Sequence, residues 1–242
     1  MSLYYYDLHV HSCLSPCGEE EMTPNNIAGM ASLCGIQIMA LTDHNTTKNC
    51  PAFFAACKRH GIIPIAGMEL TTAEDVHVVC LFETLEEATA FDCALDAYRT
   101  PYKNKPEIFG RQLIMDEEDE VIGEEENLLI NATALSLEEA YALVTEMNGV
   151  CYPAHIDREA NGIIAVLGAL PELPQFAAVE LHDGDKREEY EQKYGLKGKK
   201  ILVSSDAHSF EGMRDAANAV ELADEPYSSS LVRHNFFQYL RS

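Results

Sequence analysis

The sequence predicts an α/β fold in which parallel strands form a closed or nearly closed barrel. Short apolar runs alternate along the chain with stretches whose apolar residues recur at helical spacing. Several runs are almost continuously apolar, as expected for parallel strands that are covered on both faces. Most of them lead into a histidine, aspartate or glutamate, and the carboxyl ends of the strands are where such barrels carry their functional residues.

Seven strands are predicted from the apolar runs, at residues 4–9, 38–42, 62–66, 76–82, 150–154, 177–181 and 201–205. Helices are predicted at residues 23–33, 50–60, 85–98, 136–147 and 228–240. Ser136 and Glu139 have the spacing of a capping box, which marks the start of the fourth of these helices. The length fits one large domain, and we predict a single domain over residues 1–242.

Residues 100–135 interrupt the alternation of strands and helices. Two short apolar stretches, at 111–115 and 120–122, flank the acidic run 116–119 and predict an antiparallel hairpin inserted between barrel units. A further segment at 127–133 ends the insertion. We interpret it as a small lid or edge of the barrel.

The composition indicates a folded and strongly acidic protein. Hydrophobic residues make up 47% of the chain, and 17 basic against 40 acidic residues give a net charge of −23. This charge opposes binding to long nucleic acids, which depends on neutralising phosphates with basic side chains, so no long nucleic acid is expected as a partner. A short phosphorylated ligand is compatible with the charge if metal ions supply positive charge.

The sequence gives no sign of a membrane segment or a secretion signal. It has no run of about 18 apolar residues, and its N-terminal apolar stretch is too short and polar for a signal peptide. We therefore expect a cytoplasmic protein that does not contact a membrane and whose eight cysteines are reduced. No CxxC pair is present, which argues against a separate zinc ribbon.

Two pairs of residues at strand ends have the spacing of metal ligands. His9 and His11 are two positions apart, so in a strand both rings point to the same face and can reach one ion. Asp206 and His208 repeat this spacing after another predicted strand. One such pair occurs often by chance, but two at the ends of different strands indicate a metal site.

Other predicted ligands follow single strands. His44 is predicted as a ligand, and its neighbour Asp43 as a carboxylate that orients a ligand or as a helix N-cap. Glu69 follows an apolar strand, and its two oxygens suit it to bridge two ions. His155 also follows a strand, whereas His77 lies inside one and by itself is better interpreted as a core histidine.

Two residues are predicted to contact a substrate. Arg158 lies three positions after His155, and a guanidinium group can hold a phosphate through two N–H groups; an exposed salt bridge is the alternative. His182 ends another predicted strand beside a turn and is interpreted as a pocket residue.

The ordered set HxH, TDH, GxE, two single histidines and SDxH resembles the PHP (polymerase and histidinol phosphatase) family of metal-dependent phosphoesterases over residues 4–208. The resemblance implies a distorted seven-stranded (β/α) barrel, TIM-like, that holds two or three divalent ions (Zn, Fe or Mn). It also implies the ligands of each ion: His9, His11, Glu69 and Asp206 for the first; Glu69, His77 and His155 for the second; His44 and His208 for a third.

The chain departs from the family after the HxH motif. Many family members have an aspartate or histidine there that completes the third site, whereas this chain has residues 12–18 with Cys17 as the candidate substitute. A thiolate ligand would suit zinc or iron.

The resemblance implies hydrolysis of a small phosphomonoester by attack of a metal-bound hydroxide, with Glu69, Asp206 and Arg158 as the catalytic residues. One alternative is an exonuclease or phosphatase acting on short oligonucleotides or nucleotide bisphosphates. An amidohydrolase is disfavoured because Glu69 takes the place of the carboxylated lysine that often bridges the ions in that superfamily. A non-catalytic metal-binding regulatory protein is the alternative from another class.

Overall fold

The computed structural model describes residues 1–242 and contains ten strands and eight α-helices. The strands are β1 (Ser2–Asp7), β2 (Ile38–Leu41), β3 (Ile63–Thr71), β4 (His77–Phe82), β5 (Leu113–Met115), β6 (Val121–Glu124), β7 (Val150–Pro153), β8 (Ala178–Leu181), β9 (Lys200–Val203) and β10 (Ala219–Leu222). The helices are α1 (Pro24–Leu33), α2 (Cys50–His60), α3 (Leu85–Leu95), α4 (Pro106–Phe109), α5 (Leu137–Glu146), α6 (Ile163–Leu167), α7 (Arg187–Lys193) and α8 (Ser229–Arg241).

A curled sheet of six strands, in the order β10-β1-β2-β3-β4-β7, forms a half-barrel. Strands β1, β2 and β3 are parallel, whereas β4 is antiparallel to both of its neighbours and β10 is antiparallel to β1. Strands β8 and β9 form a separate parallel pair. The predicted α/β class is therefore confirmed, and all seven predicted strands are present.

Isolated contacts join the segments that follow β8 and β9 to the half-barrel, near the ends of β7 and β1. The Ile156 N–H after β7 donates to the carbonyl of Glu180 in β8 at 2.8 Å. After β9, the Ala207 carbonyl accepts from the His11 N–H at 2.9 Å, beside a bridge between Val10 and Ala207. Because these contacts are not continuous ladders, the closed seven-stranded barrel stays a prediction.

The prediction that all the strands are parallel is wrong at β4. Only residues 72–76 separate β3 from β4, which is too few for the crossover that parallel strands need. The connection is a tight turn in which the Thr72 N–H donates to the Val76 carbonyl at 2.9 Å and Asp75 has a φ of 61°. Strand β10 was not predicted either; it covers the outer edge of β1.

Alternate residues of the strands pack into two separate layers. One face contributes Ile65, Leu81, Tyr152 and Leu202 to a core shared with Phe236 of α8. The other face packs against α1, α2, α3 and α5. Of the predicted helices, the one at 85–98 is shorter in the structure, ending at Leu95, while α4, α6 and α7 were not predicted.

The insertion contains the predicted hairpin, formed by the antiparallel strands β5 and β6. It is attached to loops that follow β1 and β2. The Leu113 N–H donates to the Cys13 carbonyl at 3.0 Å, and the Met115 N–H donates to Asn49 Oδ1 at 2.9 Å. The single-domain organisation over residues 1–242 stays a prediction. No helix in the structure combines the length and the apolar character needed to cross a membrane.

Candidate metal centre

The histidines and carboxylates predicted as ligands converge at one end of the sheet. The converging residues are His9, His11, His44, Glu69, His77, His155, Asp206 and His208. Most of them follow the carboxyl end of a strand. His77 is instead the first residue of β4, and it reaches the same end because β4 runs antiparallel to β3. His155 and Asp206 have φ values of 27° and 53°, a left-handed conformation that costs energy and is often found at functional sites.

Glu69 lies at the centre of the cluster, with only 1% of its side chain exposed. Its Oε1 lies 2.7 Å from His77 Nδ1, 2.9 Å from His155 Nε2 and 3.4 Å from His9 Nε2. Its Oε2 lies 3.1 Å from His44 Nδ1 and 3.3 Å from His11 Nε2. Both oxygens therefore face imidazole nitrogens, as a carboxylate that bridges two ions requires.

The first predicted ligand set, which adds Asp206 to His9, His11 and Glu69, is brought together in the structure. Asp206 Oδ1 lies 3.3 Å from His9 Nε2 and 3.2 Å from His11 Nε2. Ligands that surround one ion at about 2.1 Å lie roughly 3 to 3.5 Å from one another, so these spacings fit a divalent ion.

In the structure, His44 lies close to ligands of both the second and the third predicted ions. His44 forms one group with Glu69 and His77, and another with His11 and His208. The His11 and His208 rings are stacked with centroids 4.0 Å apart. Cys17 is exposed and lies outside all three groups, so this arrangement does not support it as a substitute ligand.

Several buried polar atoms of the cluster lack a hydrogen-bond partner. These atoms include His44 Nδ1, His77 Nδ1 and Asp206 Oδ1. Both imidazole nitrogens lie near Glu69, yet neither is aligned to hydrogen-bond with it. Buried polar atoms without partners are costly, and a cation coordinated by them would remove this cost. The donor set therefore fits divalent metal ions.

Hydrogen bonds on the far side of the rings fix the nitrogens that face the cluster. His9 Nδ1 lies 2.8 Å from Glu180 Oε1, and because a carboxylate only accepts, Nδ1 carries a proton and Nε2 is the nitrogen that would bind metal. His208 Nδ1 donates in the same way to the backbone carbonyl of Asp206 at 2.9 Å. Sequence reasoning missed Glu180; its only signal is a carboxylate inside the apolar strand β8.

A serine links His11 to the predicted orienting residue Asp43. The Ser15 hydroxyl donates to Asp43 Oδ1 at 2.8 Å, so it accepts from His11 Nδ1 at 2.9 Å and from the His44 N–H at 3.1 Å. Asp43 also accepts from the Ser12 hydroxyl and N–H, both at 2.7 Å. Asp43 therefore orients ligands, as the sequence predicts, and Ser15 is a further residue that sequence reasoning missed.

The electrostatics of the cluster follow from burial and opposite charges. Burial acts to raise the pKa of Glu69, but the surrounding histidines, His77 foremost, lower it well below its usual value. Burial likewise acts to lower the pKa of His9, but Glu180, Asp206 and Glu69 raise it well above its usual value. Glu69 is therefore a carboxylate at neutral pH, the form that binds metal.

A cavity of about 160 Å³ opens over the cluster. Its lining includes Arg158 and Asn161, and none of the residues 100–135 contributes to it, so the insertion is not a lid over this cavity. Pockets for drug-sized ligands measure roughly 300 to 1,000 Å³. The cavity therefore has room for a phosphoryl-sized group while the rest of a larger ligand extends into solvent.

The two predicted substrate residues lie side by side at the rim. Arg158 pairs through Nη1 with Asp206 Oδ2, and its Nη2 lies 3.1 and 3.2 Å from the two ring nitrogens of His182. His182 does not line the cavity. Arg214 contacts the same imidazole ring, and sequence reasoning missed it because it lies outside any regular element.

The sequence profile of the PHP domain matches residues 7–167, which is more than half of the chain. The chain belongs to the PHP domain family. Members of this family are metal-dependent hydrolases that include phosphoesterases and nucleases, and the buried cluster of this PHP domain could bind their divalent metals.

Solved structures with this fold carry different descriptions. The lesion-specific endonuclease PfuEndoQ from Pyrococcus furiosus has a TM-score of 0.70 and 20% identity over 99% of this chain and 56% of its own. Endonuclease Q bound to a 27-mer duplex with an abasic lesion at the active site has a TM-score of 0.66 and 19% identity, over 99% and 57%. A putative metal-dependent phosphoesterase from Bifidobacterium adolescentis has a TM-score of 0.57 and 18% identity, over 85% and 88%.

These identities establish a shared fold only. The PHP domain chain spans little more than half the length of the two endonuclease chains. No curated relative matches the sequence.

Proposed function

We propose that this PHP domain hydrolyses a small phosphomonoester with two or three divalent ions (Zn, Fe or Mn) held by its buried cluster. The observation that carries the proposal is the position of Glu69, whose two oxygens face five histidines beneath an open cavity. A single structural ion would not require a carboxylate between two groups of ligands.

Each ion has a proposed set of ligands. His9, His11, Glu69 and Asp206 would hold the first ion; Glu69, His77 and His155 the second; and His44 and His208 the third, with His44 also close to the second set. Glu69 would be shared by the first two ions, and Cys17 is left out because it lies outside the three groups of ligands.

Bound ions would neutralise the phosphoryl oxygens and lower the pKa of a water molecule towards about 7. The side chains hold the ions and orient the substrate. Glu69 and Asp206 hold the centre at the floor of the cavity, and Arg158 orients the phosphoryl group through N–H donors at the rim. Glu180 and Asp43, the latter through Ser15, keep the ligating nitrogens of His9 and His11 directed at the ions.

A second candidate function is hydrolysis of nucleic acid. It is favoured by the likeness over 99% of this chain to an endonuclease that binds duplex DNA. The expectation that long nucleic acids are excluded is therefore not supported, although the net charge of −23 opposes such binding. Short oligonucleotides and nucleotide bisphosphates are substrates intermediate in size between a small phosphomonoester and a long nucleic acid.

A metal-loaded sample tests the proposal directly. We expect the protein to hydrolyse p-nitrophenyl phosphate, and we expect Asp206→Asn to lower kcat/KM by at least about 100-fold because a ligand charge at the first ion is lost. His234→Asn is the matched control, since His234 is exposed and pairs only with Glu83 outside the cluster.

Substrate choice and catalytic competence are read from the same samples. Comparing p-nitrophenyl phosphate with a 5′-phosphorylated single strand and a duplex containing an abasic site separates the two candidate activities. Two or more ions bound without turnover of any phosphoester would refute the proposed hydrolase. That outcome would favour a non-catalytic metal-binding regulatory protein.

A further inference from the structure

A second cavity lies at the opposite end of the sheet from the metal centre. It has a volume of about 390 Å³, and its lining comes from the last turns of α2, the start of β3 and the first turns of α8. We call it the basal cavity and define it by Phe54, Lys58, Pro64 and Arg233. Pro64 precedes Glu69 by five positions in β3, which is roughly 17 Å along an extended strand. The basal cavity shares no residue with the cavity over the metal ligands.

Residue spacing in two helices explains this lining. Phe54 and Lys58 are four positions apart in α2, so their side chains lie on one face of the helix. Ser230 and Arg233 are three positions apart in α8 and share a face in the same way. The two faces meet where Arg233 stands over the ring of Phe54, with Cζ 5.4 Å from the ring centroid. This cation–π contact holds the guanidinium group beside the cavity.

The guanidinium group of Arg233 uses little of its hydrogen-bonding capacity. Nη1 donates to the Pro64 carbonyl at 3.4 Å, while Nε is buried and has no partner. Burial lowers the pKa of Arg233, and the charge of Glu83 opposes this effect. The group stays charged at neutral pH, because the ordinary pKa of arginine lies far above 7. A charge that is partly withdrawn from water without a partner is costly, and a bound anion would offset that cost.

No protein carboxylate neutralises the cations of the basal cavity. The lining contains Lys58 and Arg233 but no aspartate or glutamate, and neither cation forms an ion pair. Glu83, whose charge acts on Arg233, instead pairs with His234 at 2.9 Å. The chain has 40 acidic and only 17 basic residues, so the local charge of this cavity is opposite to the net charge of the protein.

The size and charge of the basal cavity together indicate a class of ligand. Ligand pockets measure roughly 300 to 1,000 Å³, so this cavity admits a small organic molecule as well as a free anion. A phosphate monoester carries about 1.5 to 2 negative charges at neutral pH, which match two cations. Pro64 and the ring of Tyr227, which is 64% exposed, offer contacts for the remainder of an organic phosphate.

We propose that the basal cavity binds a phosphate group, either free phosphate or the phosphate of a small organic ester. Arg233 donates N–H groups to the phosphate oxygens, Lys58 supplies a second positive charge from the exposed side, and the Ser230 hydroxyl is a further donor. The site lies apart from the metal ligands and requires no bound ion. This inference therefore goes beyond the proposed hydrolase and does not depend on it.

Calorimetric titration of the full chain with its ions tests the proposal, with inorganic phosphate and adenosine 5′-monophosphate as probes. We expect a class of binding sites that persists in Asp206→Asn, in which the metal centre is weakened. Arg233→Gln should raise the Kd of this class at least about tenfold, because charge-assisted hydrogen bonds are lost. Lys58→Glu should also raise it at least about tenfold, because a negative charge then faces the phosphate.

Arg59→Glu is the matched control for Lys58→Glu. Arg59 is the next residue of α2 and is exposed, but it does not line the basal cavity. The two variants change the net charge equally, so equal effects on Kd would show general electrostatics and overturn the proposal. Lys58 is exposed, so Lys58→Glu is expected to fold and keeps the test decisive where Arg233→Gln does not fold.

Two further arms identify the source of the phosphate. Adenosine, which lacks a phosphate, is expected not to bind, and adenosine that binds as tightly as the monophosphate overturns the proposal. Tighter binding of the monophosphate than of inorganic phosphate, lost in Tyr227→Ala, assigns the cavity to an organic phosphate; equal or weaker binding assigns it to free phosphate. The absence of any phosphate binding that responds to Lys58→Glu overturns the proposal, whether or not the protein hydrolyses phosphoesters.

Discussion

The metal affinity of the cluster is predicted to depend on Glu180, a buried residue that touches no ion site directly. Glu180 Oε1 accepts from His9 Nδ1 at 2.8 Å and from the His155 N–H at 3.2 Å, and its side chain is 1% exposed. The substitution Glu180→Gln keeps an acceptor oxygen in place and removes the negative charge. It therefore changes how strongly His9 is held as a metal ligand with little change in shape.

The expected magnitude follows from these two hydrogen bonds. Loss of a carboxylate that orients a ligating histidine raises the metal Kd about 10- to 100-fold, which corresponds to about 1.4 to 2.7 kcal/mol. Glu180→Leu also leaves the His9 and His155 donors unpaired in the interior, and each unpaired donor costs about 1 to 3 kcal/mol of folding free energy.

The assay is a competition titration with a chelator of known affinity, together with urea unfolding of the metal-free protein. Glu221→Gln is the matched control, because Glu221 occupies the same tetrapeptide, AVEL, in β10 but is exposed. Both substitutions produce the tetrapeptide Ala-Val-Gln-Leu, so the two variants have the same local β-strand propensity. Wild-type affinity in Glu180→Gln, with folding intact, would refute the reasoning that Glu180 positions His9.

Three other predictions concern the loops and the ions. In Gly162→Ala the new Cβ would lie 2.3 Å from the Arg158 carbonyl oxygen. We therefore expect the free energy of unfolding in urea to fall by about 1 to 3 kcal/mol, and kcat/KM to fall as well. In the control Gly184→Ala the new Cβ would meet nothing closer than 3.6 Å, so neither quantity should change. Cys17→Ser is expected to leave the number of bound ions by elemental analysis unchanged, and a lost ion would contradict the placement of Cys17 outside the cluster. Removing the ions with a chelator should lower the free energy of unfolding by about 2.7 kcal/mol for each ion present at 100 times its Kd, and an unchanged unfolding curve would show that no ion stabilises the fold.

Local sequence patterns predict much of the centre because most of its ligands lie at or just beyond strand ends. Apolar runs locate the strands, and the polar residue that follows each run faces the same end of a parallel sheet. His9, Glu69, His155 and Asp206 were all predicted in this way, and the structure brings them together. The hairpin of the insertion was also predicted, because its apolar stretches and acidic turn are local features.

His77 shows where this reasoning stops. It is the first residue of β4, and in a parallel strand that position would lie at the opposite end of the sheet from the other ligands. The antiparallel course of β4 places it beside Glu69. The direction of a strand depends on the length of the turn before it and on which neighbours it pairs with, so the apolar run alone gives no direction.

Glu180 and Arg214 were missed for different reasons. Glu180 carries a usable signal, since a carboxylate in an apolar strand needs a buried partner. Arg214 lies in an irregular segment, between Phe210–Gly212 and β10, whose position depends on contacts with segments distant in the sequence. Its proximity to His182 is a tertiary property with no local pattern.

Anomalous diffraction at the zinc, iron and manganese edges from crystals grown with phosphate tests the central claim most directly. The account predicts at least two ions, with the two oxygens of Glu69 bound to different ions, and a phosphate in the cavity that contacts Arg158. A single ion, or ions that do not share Glu69, would contradict it.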